Sequence, residues 1–253
     1  MHFHLPKPLH GWREFAGEVG IIVLGVLIAL GAEQVVGSLD MQLKVRRAED
    51  AMRLELATDD GPEAYGRALI GPCLDAELAR IHEGAGKVPT TQLRQWVLAY
   101  EPPYRTWDSE GWKTVLGSDV GSRMGPKRLI QWSSPYRIIT PLTDRNQRER
   151  ELTVELHEVL PPSGEPSPLD LQALRRNASQ LREINRGFFR GSQLFLARSQ
   201  ALGALVPERT QEDLFKEARA IYGDCARAPD LSQRPVAQSL RANLQMPALP
   251  FGN

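Results

Sequence analysis

The apolar and polar positions of the chain are unevenly distributed. Residues 19–32 read Val-Gly-Ile-Ile-Val-Leu-Gly-Val-Leu-Ile-Ala-Leu-Gly-Ala, fourteen in succession with no charged or hydrogen-bonding side chain. At ~1.5 Å rise per residue this run reaches about two-thirds of the way across a ~30 Å hydrocarbon core. Phe15, Ala16, Gly17, Val35, Val36 and Leu39 must therefore share the crossing. Glu18 and Glu33 then fall near the two interfaces, where a carboxylate reaches water, and Trp12 falls at headgroup level.

Two other readings of the run compete. A core helix of a soluble protein would show a polar face, which this run lacks. A cleavable signal peptide fits Lys7 and Arg13 before the run and the small-x-small pattern Ala29-Leu30-Gly31. Against it, Glu14 and Glu18 place acid where a signal peptide carries only positive charge. The pattern predicts a retained transmembrane anchor over 15–37, preceded by an N-terminal segment, 1–14.

No proline interrupts Gly37 to Ala57, where Leu39, Leu43, Ala48, Ala51 or Met52 and Leu56 recur at near-helical spacing. The anchor is expected to continue as a stalk until the turn signal Asp59-Asp60-Gly61-Pro62. After it, Pro62–Ile70 and Pro72–His82 read as two short helical pieces closed by Gly84-Ala85-Gly86. Thr90 or Thr91 caps a helix to about Tyr100, with Leu93, Trp96 and Val97 on its apolar stripe, and Pro102-Pro103 breaks it. A capped start near Thr106 leads through Trp107, Trp112, Val115 and Leu116 to a glycine-bearing turn, 117–125. A longer helix follows from Pro126 to about Val159, interrupted or kinked at Pro135 and Pro141, and then the loop Pro161-Pro162-Ser163-Gly164.

The strongest periodicity begins near Ser167-Pro168. Leu174, Leu181, Phe188, Phe195 and Leu202 are seven apart, with Ala178, Asn185, Ser192 and Ser199 between them, so one seam of a long helix faces a neighbour throughout. The 126–159 helix, folded back across the proline loop, is the expected antiparallel partner. A last helix, from Gln211 to about Tyr222, carries Leu214, Phe215, Ala218 and Ile221. The expected fold class is thus all-α: one N-terminal transmembrane helix continuing into a stalk, then an irregular antiparallel helical bundle. The soluble domain spans 38–227, and a proline-containing tail, 228–253, is expected to be mobile.

Composition adds limits. The 253 residues hold 31 Lys+Arg and 31 Asp+Glu, so no basic field attracts nucleic acid. Mean hydropathy is −0.34, that of a soluble protein, which fits apolar residues concentrated in one helix. Lys7 and Arg13 before the run are outnumbered by Lys44, Arg46 and Arg47 after it, a count that favours a cytoplasmic domain. However, the latter are interleaved with Asp40, Glu49 and Asp50. Cys73 and Cys225 could also pair as a disulfide joining the first and last parts of the domain, which needs an oxidising compartment. Two unpaired buried thiols is the alternative. The periplasmic side is the expectation.

The segment from Trp12 to Gln34, with Gly17-Glu18 opening its Ile/Val/Leu-Gly-Val-Leu-Ile-Ala-Leu helix, resembles the N-terminus of bacterial single-pass proteins, the DUF6090-like families. A looser likeness runs from Tyr104 to Tyr136, where Thr106-Trp107-Asp108 and Lys127-Arg128-Leu129 each begin a helix. The resemblance implies a membrane anchor with a helical extramembrane domain, and brings no known reaction or ligand; the expected location is a bacterial inner membrane.

Chemistry-bearing patterns are sparse. The chain has no glycine-rich phosphate loop, dinucleotide fingerprint, nucleophile elbow or His-Glu-x-x-His pair. His2, His4 and His10 lack rigid spacing for a metal, His82 and His157 stand alone, and Asp108 with Glu110 reads as capping rather than an acid–base pair. Arg145, Arg148 and Arg150, balanced by Asp144, Glu149 and Glu151, read as a solvated helix face. No catalytic, cofactor or metal residue is assigned. The anchor does carry small-xxx-small pairs, Ala16/Gly20 and Gly25/Ala29, which let two membrane helices approach, and Glu18 or Glu33 could hydrogen-bond across such a contact. The expected partners are the lipid bilayer, a second copy through this helix and a protein not identified by the sequence. The expected role is a non-enzymatic interaction or scaffold protein. The alternative is a sensory module that holds a small ligand between helices near Trp96, Trp107, Trp112 and Trp132.

Overall fold

The computed structural model describes residues 11–107 and 109–229. His2, His4, Lys7, His10, Asp108 and the tail from 230 onward lie outside the described residues. The described residues are all-α: α1 (Trp12–Thr58), α2 (Asp60–Gly84), α3 (Thr90–Ala99), α4 (Glu110–Leu116), α5 (Asp119–Arg123), α6 (Pro126–Glu158), α7 (Pro168–Ala201) and α8 (Glu208–Tyr222), then a 3-10 turn, Gly223–Cys225. They fall into two compact units, divided between Ala48 and Glu49.

The first unit is helix α1 up to Ala48. From Phe15 to Leu39 its large apolar side chains are uncovered, Ile21 74% exposed, Leu27 61% and Ile28 63%, and Val45 is buried. Among the described residues this is the one helix long and apolar enough to cross a membrane.

In the second unit the end of α1 is bound to α4 and α6. Met52 and Leu56 are buried, the Gly111 N–H donates to the Glu55 carboxylate at 2.7 Å, and Tyr136 OH donates to Met52 O at 3.4 Å. Leu39 and Leu43, which the spacing had placed on the same stripe, are exposed. Helix α2 is the centre of the bundle. It packs most extensively on α7 and also against α8 and α3, while α6 packs on α7. The expected α6–α7 pair is present, but the larger share of the α7 surface goes to α2.

Several local expectations need correction. Pro72 does not divide α2 in two. A proline offers no N–H to the carbonyl four residues back, here Ala68 O, yet the helix is continuous; beside that point Gly71 O accepts from Asn185 Nδ2 at 2.7 Å and Leu69 O from the Arg227 N–H at 3.2 Å, which ties this stretch of α2 to its neighbours. Helix α6 likewise runs without interruption through Pro135 and Pro141, and Ser134 O accepts from Arg198 Nη1 at 2.9 Å. Neither Thr90 nor Thr91 caps α3: Pro89 is the cap residue, and the Thr90 hydroxyl bonds the Glu165 carboxylate instead. The start expected at Thr106 is delayed to Glu110, since Thr106 and Trp107 are not helical, and α8 begins at Glu208 rather than Gln211. The start of α7 follows the sequence. Ser167 accepts from the Asp170 N–H at 3.2 Å while the Asp170 carboxylate accepts from the Ser167 N–H at 2.8 Å, a complete capping box.

Candidate functional site

Two places in the chain combine unusual chemistry with definite geometry. The first is the surface of α1. Glu18, Gly20, Gly25, Ala29 and Glu33 are all exposed, and no atom lies within 4 Å of where a Cβ would stand on Gly20 or Gly25. With 3.6 residues per turn, Gly25 and Ala29 share a face with Glu18 and Glu33, while Ala16 and Gly20 lie on the opposite one. The two small pairs thus do not form one continuous stripe. Glu18 and Glu33 are ~22 Å apart along the axis, less than the ~30 Å hydrocarbon thickness.

The second place lies inside the bundle, and the sequence reading missed it. Arg67 of α2 is 0% exposed, Glu149 of α6 2% and Asn185 of α7 1%. Arg67 Nη2 donates to Glu149 Oε1 and, at 3.0 Å, to Asn185 Oδ1, so one guanidinium nitrogen joins three helices. Its Cζ lies 4.5 Å from the centre of the Phe188 ring, a cation–π contact. Arg67 Nε and Nη1 and Tyr100 OH are buried without a hydrogen-bond partner among the described residues. Burial pushes the Glu149 carboxyl up, and the Arg67 charge and hydrogen bond pull it back only in part. The Tyr100 phenol is raised well above its ordinary value by burial first and by the Glu149 charge second.

A second layer of polar contacts surrounds this pair. The Asn146 side chain brackets the Arg105 backbone, its Nδ2 donating to Arg105 O at 2.7 Å and its Oδ1 accepting from the Arg105 N–H at 3.3 Å. Arg105 Nη1 donates to Glu63 at 3.1 Å. On the α2–α7 face, Arg182 makes a two-pronged pair with Asp75 at 3.0 and 3.1 Å and Arg186 joins at 3.2 Å. Hydrogen bonding from Arg182 holds the Asp75 carboxyl below its usual range.

The reading of Glu149 as part of a solvated face is therefore corrected. Arg148 does pair with Glu151 in solvent, and Arg150 lies over the Tyr104 ring, but Glu149 points into the core. A signal was present. Pro135, Ile139, Leu142, Asn146, Glu149, Thr153, Leu156 and Leu160 alternate at spacings of four and three and are all buried, a heptad whose middle positions are polar.

The tryptophans do not converge on one cavity. Trp96 faces Arg80, Trp107 meets Phe195 edge-on at 6.0 Å, Trp112 stacks on Tyr136 at 5.5 Å, and Trp132 lies under Arg53. Two open clefts are small and polar. One of ≈ 410 Å³ lies among Asp59, Asp60, Glu63, Thr106 and Trp107, and one of ≈ 360 Å³ among Thr90, Arg94, Gly164 and Glu165. Glu110 is exposed and bonded to Lys113 at 2.6 Å, and His157 Nε2 contacts Tyr100 O at 2.9 Å. No group of three His, Cys, Asp or Glu side chains placed to hold a metal ion occurs among the described residues. Cys73 and Cys225 are joined as a disulfide, Cα–Cα 5.4 Å. No protein-family model, curated protein or solved structure matches the chain.

Proposed function

We infer that this is a single-pass, membrane-anchored, non-enzymatic interaction or scaffold protein, with α1 in a bacterial inner membrane and the helical bundle on the periplasmic side. The observation that carries the reading is the exposure of the 19–32 surface. Nine Val, Ile and Leu side chains lie in that run, and at ~1.5–3 kcal/mol for burying each their transfer from water is worth on the order of 10–25 kcal/mol. That rivals the ~5–15 kcal/mol stability of a whole domain, so a covering phase is required, and lipid supplies it without a protein partner. Support for the periplasmic side comes from the Cys73–Cys225 disulfide, since such bonds persist in oxidising compartments. Support for a scaffold role comes from the bundle interior, where aromatic residues pack on their neighbours and charged groups pair.

Alkaline carbonate washing of membranes tests the anchor: the full chain is expected in the pellet, and recovery in the supernatant would overturn the reading. Protease added to spheroplasts and to inverted vesicles tests sidedness, with digestion of the bundle expected only in the former. Association of two copies through Gly20, Gly25, Ala29 and the two glutamates is tested by cross-linking of wild type against Gly20→Leu and Glu18→Leu. Loss of the dimer band supports that contact and an unchanged pattern removes it. Affinity capture from detergent extracts addresses the protein partner.

A further inference from the structure

We propose that α8 and the 3-10 turn after it form a redox-released flap on α2, with the Cys73–Cys225 disulfide as its latch. Apart from the disulfide, the segment is held chiefly by its packing against one helix, α2. Helix α8 packs chiefly against α2, and of its side chains only Ala218 is buried, while Leu214, Phe215 and Tyr222 are half-covered and Ile221 is exposed. Among the described residues, its polar contacts are mostly internal. Arg219 pairs with Asp224 and lies over the Phe215 ring, and the Ala226 N–H donates to Gly223 O at 3.3 Å. Two links leave the segment for α2, the disulfide and the Arg227 N–H donating to Leu69 O at 3.2 Å. An element whose polar contacts are mostly internal and whose outward packing is against a single helix can lift as a unit.

Tyr222, the last residue of α8, is half-buried where the helix ends beside the disulfide. Cys73 is 3% exposed and Cys225 only half-buried, which makes Cys225 the accessible sulfur. A dithiol reductant attacks there as thiolate. The Sγ–Sγ bond breaks, the two cysteines take up two electrons and two protons as thiols, and the reductant departs as its own disulfide. The flap can then leave α2, while α2, α6 and α7 stay packed through the seams described above.

The test is amide hydrogen exchange on the full-length protein in detergent micelles, oxidised and after dithiothreitol, with thiol content confirmed by mass. Reduction is expected to speed exchange across 208–227 at least tenfold while 174–199 changes less than twofold, and Cys225→Ser should reproduce the reduced pattern. Unchanged exchange in 208–227 after complete reduction would overturn the proposal. So would an equal loss of protection over α2, α6, α7 and α8, because the bond would then hold the whole fold rather than a flap. The outcome does not depend on how the chain is anchored.

Discussion

Replacing Glu149 with Leu should harm the bundle more than replacing Glu149 and Arg67 together. In the single variant a fully buried guanidinium keeps only Asn185 Oδ1 as partner, at 3.0 Å, with Nε and Nη1 already unpaired. Removing one member of a buried pair costs about 3–5 kcal/mol. At ~2–4 °C per kcal/mol for a domain of 150–250 residues, the expected fall in Tm is roughly 6–20 °C. In Arg67→Met/Glu149→Leu the charge is gone, and the methionine keeps an apolar contact with Phe188. Exchanging a buried pair for apolar side chains is neutral or stabilising by ~1–4 kcal/mol, offset by ~1–3 kcal/mol for the unpaired Asn185 oxygen. The double variant should therefore melt within a few degrees of wild type. Circular dichroism of the full chain in micelles measures all three melts. A double variant no more stable than Glu149→Leu would show that Arg67 and Glu149 are not energetically coupled. A pH series adds a sign. Because burial raises the Glu149 carboxyl, the folded state binds its proton more tightly, so that contribution is complete below the ordinary value of ~4.3 and declines as pH rises through the raised one. Glu149→Gln should remove that decline.

Other variants probe separate contacts. Asp75, held low by Arg182, contributes stability above the ordinary carboxylate value of ~3.9, which is lost as pH falls through the lowered one. With these side chains partly exposed the contribution is at most about 1 kcal/mol, and acid titration of Asp75→Asn should lack it. Gly71→Ala would set a Cβ 2.7 Å from Phe189 Cδ2, so a loss of about 1–3 kcal/mol is expected in thermal melts. Ser167→Ala, which opens the capping box of α7, should cost ~1 kcal/mol, visible as faster amide exchange confined to the first turn. Leu27→Arg puts a charge within the apolar run at ~2.5–3.5 kcal/mol, and carbonate washing should release on the order of a hundredfold more of it than of wild type.

The sequence disclosed elements in proportion to how far their buried positions were apolar. Leu174, Leu181, Phe188 and Phe195 are all fully buried, and the seven-residue recurrence located them without the structure. The matching seam of α6 was hidden because Asn146, Glu149 and Thr153 occupy its centre, and polar residues read as surface until their partners are known. Those partners, Arg67 and the Arg105 backbone, are distant in sequence, so no local pattern could supply them. The prolines misled for a related reason. Pro72 lacks a donor wherever it stands, but whether a helix continues through it is decided by tertiary packing on both sides, here by contacts such as those of Asn185 and Arg227 to Gly71 O and Leu69 O.

The same contacts explain why α2 must be central. Its buried cation at Arg67 is met by residues of α6 and α7, and the Gly71 carbonyl beside Pro72 is held by α7. Asn185 alone serves both, accepting from Arg67 through Oδ1 and donating to Gly71 O through Nδ2. A slip of α7 by one heptad along α2 would keep large side chains in the seam, since Leu181 and Phe188 would replace each other's neighbours. It would, however, strand the guanidinium and the Gly71 carbonyl together. Apolar packing therefore fixes which faces meet, while Asn185 fixes where along the helices they meet. That division of labour accounts for a polar residue at the middle of a seam that is otherwise Leu, Phe, Ala and Ser, and it makes alignment of α7 on α2 the step on which the rest of the bundle depends.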